Sequence, residues 1–173
     1  MAKGNDTAAM LHLIDRTGFR PGSESDTKAS KKAYGASTLT AEHVKISGNT
    51  LSFEFTGKKG VTITKTIEDP KLAKFLAPRV EKGGQLFSST DAQARKYLKS
   101  VGGNGYKVKD FRTWNGTNVA LKTISGMSKP KTPKELKAAK NKVAKTVANH
   151  LGNTPAVALS SYIDPTVFKG WEL

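Results

Sequence analysis

Cysteine is absent from the 173 residues, and that omission removes disulfide frameworks, thiolate zinc sites, iron–sulfur ligation and thiol catalysis. Histidine is scarce. His12, His43 and His150 lie far apart with no Asp or Glu cluster beside them, so no metal centre is expected and each ring reads as a structural histidine with satisfied partners. Apolar residues make up 36% of the chain and mean hydropathy is −0.47. No apolar run approaches the roughly 18 residues a membrane span needs. The amino-terminal MAKGNDTAAMLHLIDR has neither the apolar core nor the small-residue cleavage site of a secretory signal. No GxSxG elbow, Walker loop or dinucleotide fingerprint occurs, and paired-carboxylate catalysis gets no support from spacing. A soluble, intracellular protein is expected, without cofactor and away from membranes.

Acid is the other shortage. Fourteen Asp and Glu face 29 Lys and Arg, a net charge of +15 and a pI near 10. Such a surplus concerns partners rather than fold. Nucleic acid fits it first, because each neutralised phosphate releases counterions and adds sequence-independent affinity. A solvated lysine-rich surface and an anionic membrane surface stay open on composition alone. The length suits one domain, or a body plus a small annex, and is enough to bury a real core.

Residues 1–10 and 21–37 are small, polar and aperiodic, which predicts loop, the first ten flexible. Between them Met10, Leu11, Leu13 and Ile14 form an apolar patch ending at Gly18, the last turns of a helix truncated at its start. Over 42–67 the period is two. After a turn at Ser47-Gly48-Asn49, Leu51, Phe53 and Phe55 alternate with Ser52, Glu54 and Thr56. Beyond the turn Gly57-Lys58-Lys59-Gly60 the alternation resumes in Val61, Ile63 and Ile67. Three antiparallel strands are predicted, with Lys58 and Lys59 at one tip.

Residues 69–173 read as mostly helical. Asp69-Pro70 opens a helix whose Leu72, Phe75, Leu76 and Val80 share a face, and Gly83-Gly84 closes it. A shorter helix follows Thr90 and carries Tyr97 and Leu98. Over 107–125 Val108, Phe111, Arg112, Asn115 and Val119 fall on one broad face. GMSKPKTP (126–133) is a hinge, and Thr132-Pro133-Lys134-Glu135 reads as a capping box. Leu136, Ala139, Val143, Val147 and Leu151 then form an apolar stripe opposite Lys134, Lys142 and Lys145. Residues 129–145 hold seven lysines and one glutamate, and Gly152 with Pro155 ends the helix. The expected class is α+β, a single mainly helical domain over 1–173 with a small three-stranded antiparallel sheet.

The chemistry that remains is cationic and hydroxylic. Arg112 on a core-facing stripe needs an anion or acid, either an internal partner such as Asp110 or a substrate. Arg20 sits in the rigid turn Gly-Phe-Arg-Pro-Gly. Lys58 is either a solvated hairpin charge or a functional one. Tyr162, in SSYIDP, taken alone is a packed tyrosine.

Together the segments LIDRTGFRPGSE (13–24), YGASTLTAEHV (34–44), LSFEFTGKKG (51–60), GGQLF (83–87), YKVKDFRTWNGT (106–117) and LGNTPAVALSSYIDP (151–165) resemble the type IB DNA topoisomerases, specifically the catalytic domain of the small poxvirus-like and bacterial forms. They occur in family order over roughly residues 11–168. The resemblance implies the DNA breaking-rejoining fold and an ATP- and metal-independent relaxation of supercoiled duplex DNA through a 3′-phosphotyrosyl intermediate. It makes Tyr162 the nucleophile. Arg20 matches the R-x-G arginine, Lys58 the strand-turn lysine, and Arg112 the arginine of K-D-x-R-T, with Lys109 as an auxiliary lysine. Asn153 stands where other members carry histidine or asparagine. Lys59, Lys134, Lys142 and Lys145 are further candidates for DNA contact.

The partner implied is double-stranded DNA, bound by a monomer in the cytoplasm or nucleoid of a bacterium or in a virus- or phage-infected cell. Two departures stand out. The family's amino-terminal clamp domain is expected to be absent, so the chain is either a fragment or a compact form relying on charge and a partner, and Ala158-Leu159-Ser160 lacks a basic residue before the nucleophile. Two alternatives are a tyrosine recombinase or integrase and a non-catalytic DNA-binding module of the same fold. The first would show H-x-x-R where this chain has Lys109-Asp110-Phe111-Arg112.

Overall fold

The computed structural model describes residues 5–28, 30 and 32–171. Among these, seven α-helices accompany one three-stranded antiparallel sheet, the mainly helical α+β class expected. The chain divides into two compact units, one running to Val108 and the other from Lys109. No helix among the described residues is long and apolar enough to cross a membrane.

In the first unit, α1 (Asp6–Thr17) begins where the Asn5 side chain accepts the Ala8 N–H at 3.0 Å. It ends at Gly18, φ 70, whose N–H reaches the Ile14 carbonyl at 2.8 Å. The helix is therefore not truncated: part of the segment expected as loop is helical from Asp6, and residues 1–4 lie outside the described residues. The physical reason is local. Asn is a strong N-cap, Asp6 lies at the positive end of the helix, and Ala8 and Ala9 favour helix. Ala9, Met10, Leu13 and Ile14 are fully buried. The loop expected over 21–37 is also more structured than its composition indicates. A single turn, α2 (Glu24–Thr27), leads to a buried 3-10 turn at Ala36–Thr38.

β1 (Val44–Ser47), β2 (Thr50–Thr56) and β3 (Thr62–Glu68) pair in chain order, with Val44 opposite Phe53 and Phe53 opposite Lys65. Leu51, Phe53 and Phe55 face the core while Ser52, Glu54 and Thr56 face out. Lys65 shares the inner face with Ile63 and Ile67, and burial pushes its ammonium below the usual lysine range. An inward lysine on an edge strand discourages pairing with another chain.

Asp69 caps α3 (Pro70–Lys82), its carboxylate accepting the N–H groups of Lys71 and Leu72 at 3.0 and 2.9 Å. The same carboxylate meets His12 Nε2 at 2.8 Å and Arg16 Nε at 3.3 Å, joining α1 to α3. Burial acts to raise the Asp69 carboxyl, but the Leu72 N–H bond and the His12 and Arg16 contacts outweigh it and hold it below the usual carboxylate range. A carboxyl whose folded pKa lies below its unfolded value, about 3.9, contributes stability fully above that value and loses it as pH falls through the folded one. Asp69→Asn keeps a side-chain cap but removes the charge that His12 and Arg16 meet, and is expected to cost about 2 kcal/mol near neutrality, as the loss of charged hydrogen bonds does. Urea unfolding at pH 7 and at successively lower pH checks this: the gap between variant and parent should narrow as pH falls through the acid range, and a gap that stays constant contradicts it.

α4 (Asp91–Gly102) completes the unit behind a capping box in which Thr90 and Gln93 exchange bonds.

The second unit holds α5 (Val108–Ser125), α6 (Pro133–Leu151), α7 (Pro155–Ser161) and a 3-10 turn at Pro165–Trp171, with α5 opening at the boundary residue. Val143, Val147, Ala148 and Leu151 of α6 pack with Ala158, Ile163, Phe168 and Trp171. Thr132 accepts the Glu135 N–H as expected, but the Glu135 carboxylate takes the N–H of Lys131 at 2.7 Å, so only half of the anticipated capping box forms.

Candidate active site

In the first unit, backbone hydrogen bonds join the turn carrying Arg20 to the strand that leads to Lys58. Phe19 stands edge-on to Phe53 and Phe55, centroids 5.4 and 4.9 Å apart, which anchors the chain beside Arg20 on β2. The Arg20 carbonyl accepts the Ala36 N–H at 2.8 Å and the Pro21 carbonyl the Ser37 N–H at 2.7 Å. A Cβ on Gly35 would lie 2.6 Å from Gly22 Cα and 2.7 Å from the Arg20 carbonyl, so only glycine permits this crossing. Tyr34 in turn donates its N–H to the Thr56 carbonyl at 2.8 Å. Residues 34–37 thus bridge the Arg20 turn to the end of β2.

Lys58 opens the 3-10 turn Lys58–Gly60 between β2 and β3 and is exposed. Its neighbour Lys59 adopts φ 66, ψ 20, the one positive φ outside glycine among the described residues. A left-handed lysine costs about 1–2 kcal/mol. His43 packs against Tyr34, ring centroids 4.2 Å apart, and its Nδ1 accepts the Thr40 N–H at 3.0 Å. Burial lowers its pKa, with the Glu42 charge acting against the shift.

In the second unit, α5 brings Arg112 to a buried position, 2% exposed. Its Nη2 donates to the Leu151 carbonyl at 3.0 Å, one of the last carbonyls of α6, which have no partner within their own helix and carry the negative end of its dipole. The same guanidinium lies over the Tyr162 ring, Cζ 4.9 Å from the centroid, and Lys109 Nζ lies 5.4 Å from it. Lys109 and Arg112, three residues apart, project from one side of α5.

Asn153 owes its place to the end of α6. Gly152 takes the left-handed conformation, φ 62, and the N–H groups of Gly152 and Asn153 both turn back to the Ala148 carbonyl. Asn153 therefore stands two residues beyond the carbonyl that Arg112 holds. Tyr162 terminates α7, its N–H on the Ala158 carbonyl at 3.0 Å, and is half-buried.

Of the candidates read from the sequence, the structure gathers Lys109, Arg112 and Tyr162 into one cluster, while Arg20 and Lys58 are linked through residues 34–37 in the other unit. Lys134, Lys142 and Lys145 are exposed on α6, away from its apolar stripe. Lys140 is spent differently, its Nζ 5.3 Å over the Phe168 ring. Gly116 and Thr117 are not among the candidates read from the sequence, although a glycine in mid-helix is itself a signal of close approach.

A family model described as the catalytic core of eukaryotic DNA topoisomerase I matches residues 1–167. The chain is also similar to DNA topoisomerase 1B of Acanthamoeba polyphaga mimivirus, with 26% identity over 179 residues that cover 93% of this chain and 53% of the viral protein. It spans about half the length of the curated relative it matches.

Proposed function

This chain belongs to the type IB DNA topoisomerase family, whose catalytic-core model covers nearly all of it, and from that premise we propose that it relaxes supercoiled duplex DNA by reversible single-strand cleavage. The Tyr162 hydroxyl attacks the scissile phosphorus. The Tyr162 oxygen–phosphorus bond forms, the bond from phosphorus to the 5′ oxygen breaks, and the phenolic proton passes to solvent. Lys58 delivers a proton to the departing 5′ oxygen. The product is a 3′-phosphotyrosyl ester that stores the bond energy, so religation is the same path reversed and needs no ATP.

Negative charge gathers on the non-bridging oxygens in the transition state. Guanidinium groups with paired donors and an amide donor suit it, and they supply the positive charge that a metal would otherwise bring. Arg20, Arg112 and Asn153 take that part, with Lys109 assisting.

The single observation that carries this reading is the tyrosine itself. Tyr162 ends a short helix with two cations, Arg112 and Lys109, over its ring. A tyrosine serving only as packing does not call for that much positive charge around it. Supercoiled plasmid incubated with the protein and a chelator, without ATP, should relax in steps. Plasmid that stays fully supercoiled overturns the proposal.

The wider surplus of charge holds the duplex, and Lys59 and the α6 lysines belong to that group. Changing Lys134, Lys142 and Lys145 together to Gln is expected to reduce the slope of log affinity against log salt by about 2 to 3, near 0.9 for each phosphate no longer neutralised. An unchanged slope would remove α6 from the DNA-facing surface.

A further inference from the structure

We propose that Gly116 and Thr117 of α5 are positioning residues that seat the backbone of Tyr162 for attack; the inference rests on the assignment of Tyr162 as nucleophile. α7 is seven residues long, and Tyr162 leaves it at φ −135, ψ −1. A helix that short does not hold its own last residue in place. Two contacts from α5 do so, one at the Tyr162 carbonyl and one at the Asp164 N–H, on either side of Ile163.

The first is Gly116. A Cβ there would collide with the Tyr162 carbonyl oxygen and lie 3.2 Å from Leu151 Cδ1. Glycine inside a helix costs about 1 kcal/mol relative to alanine, and here the cost admits the Tyr162 carbonyl against the helix. The second is Thr117, whose Oγ1 accepts the Asp164 N–H at 3.1 Å. Asp164 in turn organises the next turn, its carboxylate accepting the Thr166 N–H and hydroxyl at 2.9 and 2.7 Å. Arg112, one turn before Gly116, covers the ring. Carbonyl, following chain and ring of the one tyrosine are thus all referenced to α5.

Attack on phosphorus needs the hydroxyl in a near-attack position, and a displacement of about 1 Å is worth up to about 100-fold in rate. Thr117→Val keeps the shape and removes the acceptor; Thr117→Ser restores it. Gly116→Val forces the Tyr162 carbonyl away. The test uses the full chain with excess protein over supercoiled plasmid, quenching with detergent to count covalent adduct at Tyr162, together with DNA affinity and urea unfolding.

Thr117→Val should form adduct about tenfold more slowly and Gly116→Val about 100-fold more slowly. DNA affinity should remain within twofold, and Thr117→Ser should return to the parent rate. A folded Thr117→Val protein with the parent rate overturns the inference, as does a serine variant no faster than the valine one. Should Gly116→Val fail to fold, the Thr117 pair still decides. Absence of a Tyr162 adduct in the unchanged protein overturns the nucleophile assignment, and the positioning role with it; parent rates in the variants overturn the positioning role alone.

Discussion

Arg112→Ala should lower the rate of covalent adduct formation about 100- to 1000-fold, the effect typical when one preorganised donor to a developing anion is removed. The same change should cost stability, because Arg112 has a second task. Its Nη2 holds the Leu151 carbonyl in a site where the arginine is 2% exposed, and leaving a buried acceptor unmet costs about 1–3 kcal/mol. Removing the cation over the Tyr162 ring adds about 0.5–1 kcal/mol.

Arg112→Lys separates charge from geometry. An ammonium on the same stem keeps the charge but cannot serve a carbonyl, a ring and a phosphate through one planar fork, so the lysine variant should stay far closer to alanine than to arginine. Single-turnover cleavage and urea unfolding on the three proteins check both parts. An Arg112→Ala protein cleaving near the parent rate would confine the residue to a structural role.

Lys58→Ala should produce a drop of about 100- to 10,000-fold in cleavage, the range for removal of a general acid, with no change in stability, because Lys58 is exposed at the tip between β2 and β3. The cause can be isolated by chemistry at the leaving atom. An alkoxide needs a proton to depart, whereas a thiolate, whose acid has a pKa of about 8.5, leaves without one. A substrate with sulfur in place of the bridging 5′ oxygen should therefore be cleaved by Lys58→Ala at nearly the parent rate. If the defect persists with the sulfur leaving group, Lys58 acts on binding or on the non-bridging oxygens instead.

Much of the fold is legible where a periodic signal and a local cap agree. Leu51, Phe53 and Phe55 alternate cleanly and form the inner face of β2. Asp69-Pro70 and Thr132-Pro133 mark helix starts that are observed. Arg112 falls on a buried stripe by spacing alone and is buried.

Legibility fails where the information is long-range or carried by small residues. The segment around Ala36, Ser37 and Thr38 looks like solvent loop by composition, yet it is buried because Gly22 and Gly35 let two backbones cross. Asn5 as the cap of α1 is obscured by its polar surroundings. Lys65 breaks an apolar alternation that otherwise announces its inward face. In the site, no spacing rule links Arg112 to the Leu151 carbonyl or to the Tyr162 ring, since both partners come from later helices. Gly116 can be suspected from its place inside a helix, but its counterpart, the Tyr162 carbonyl, cannot.

The central claim is that Tyr162 carries the broken strand, and one measurement addresses it directly. Protein and supercoiled plasmid are mixed with chelator and no ATP, quenched with detergent, and the covalent product is digested to identify both the linked amino acid and the linked DNA end. The expected result is a phosphodiester between the Tyr162 phenolic oxygen and a 3′ phosphate, abolished in Tyr162→Phe together with relaxation. An adduct on another residue, a 5′ linkage, or relaxation by purified Tyr162→Phe would contradict it.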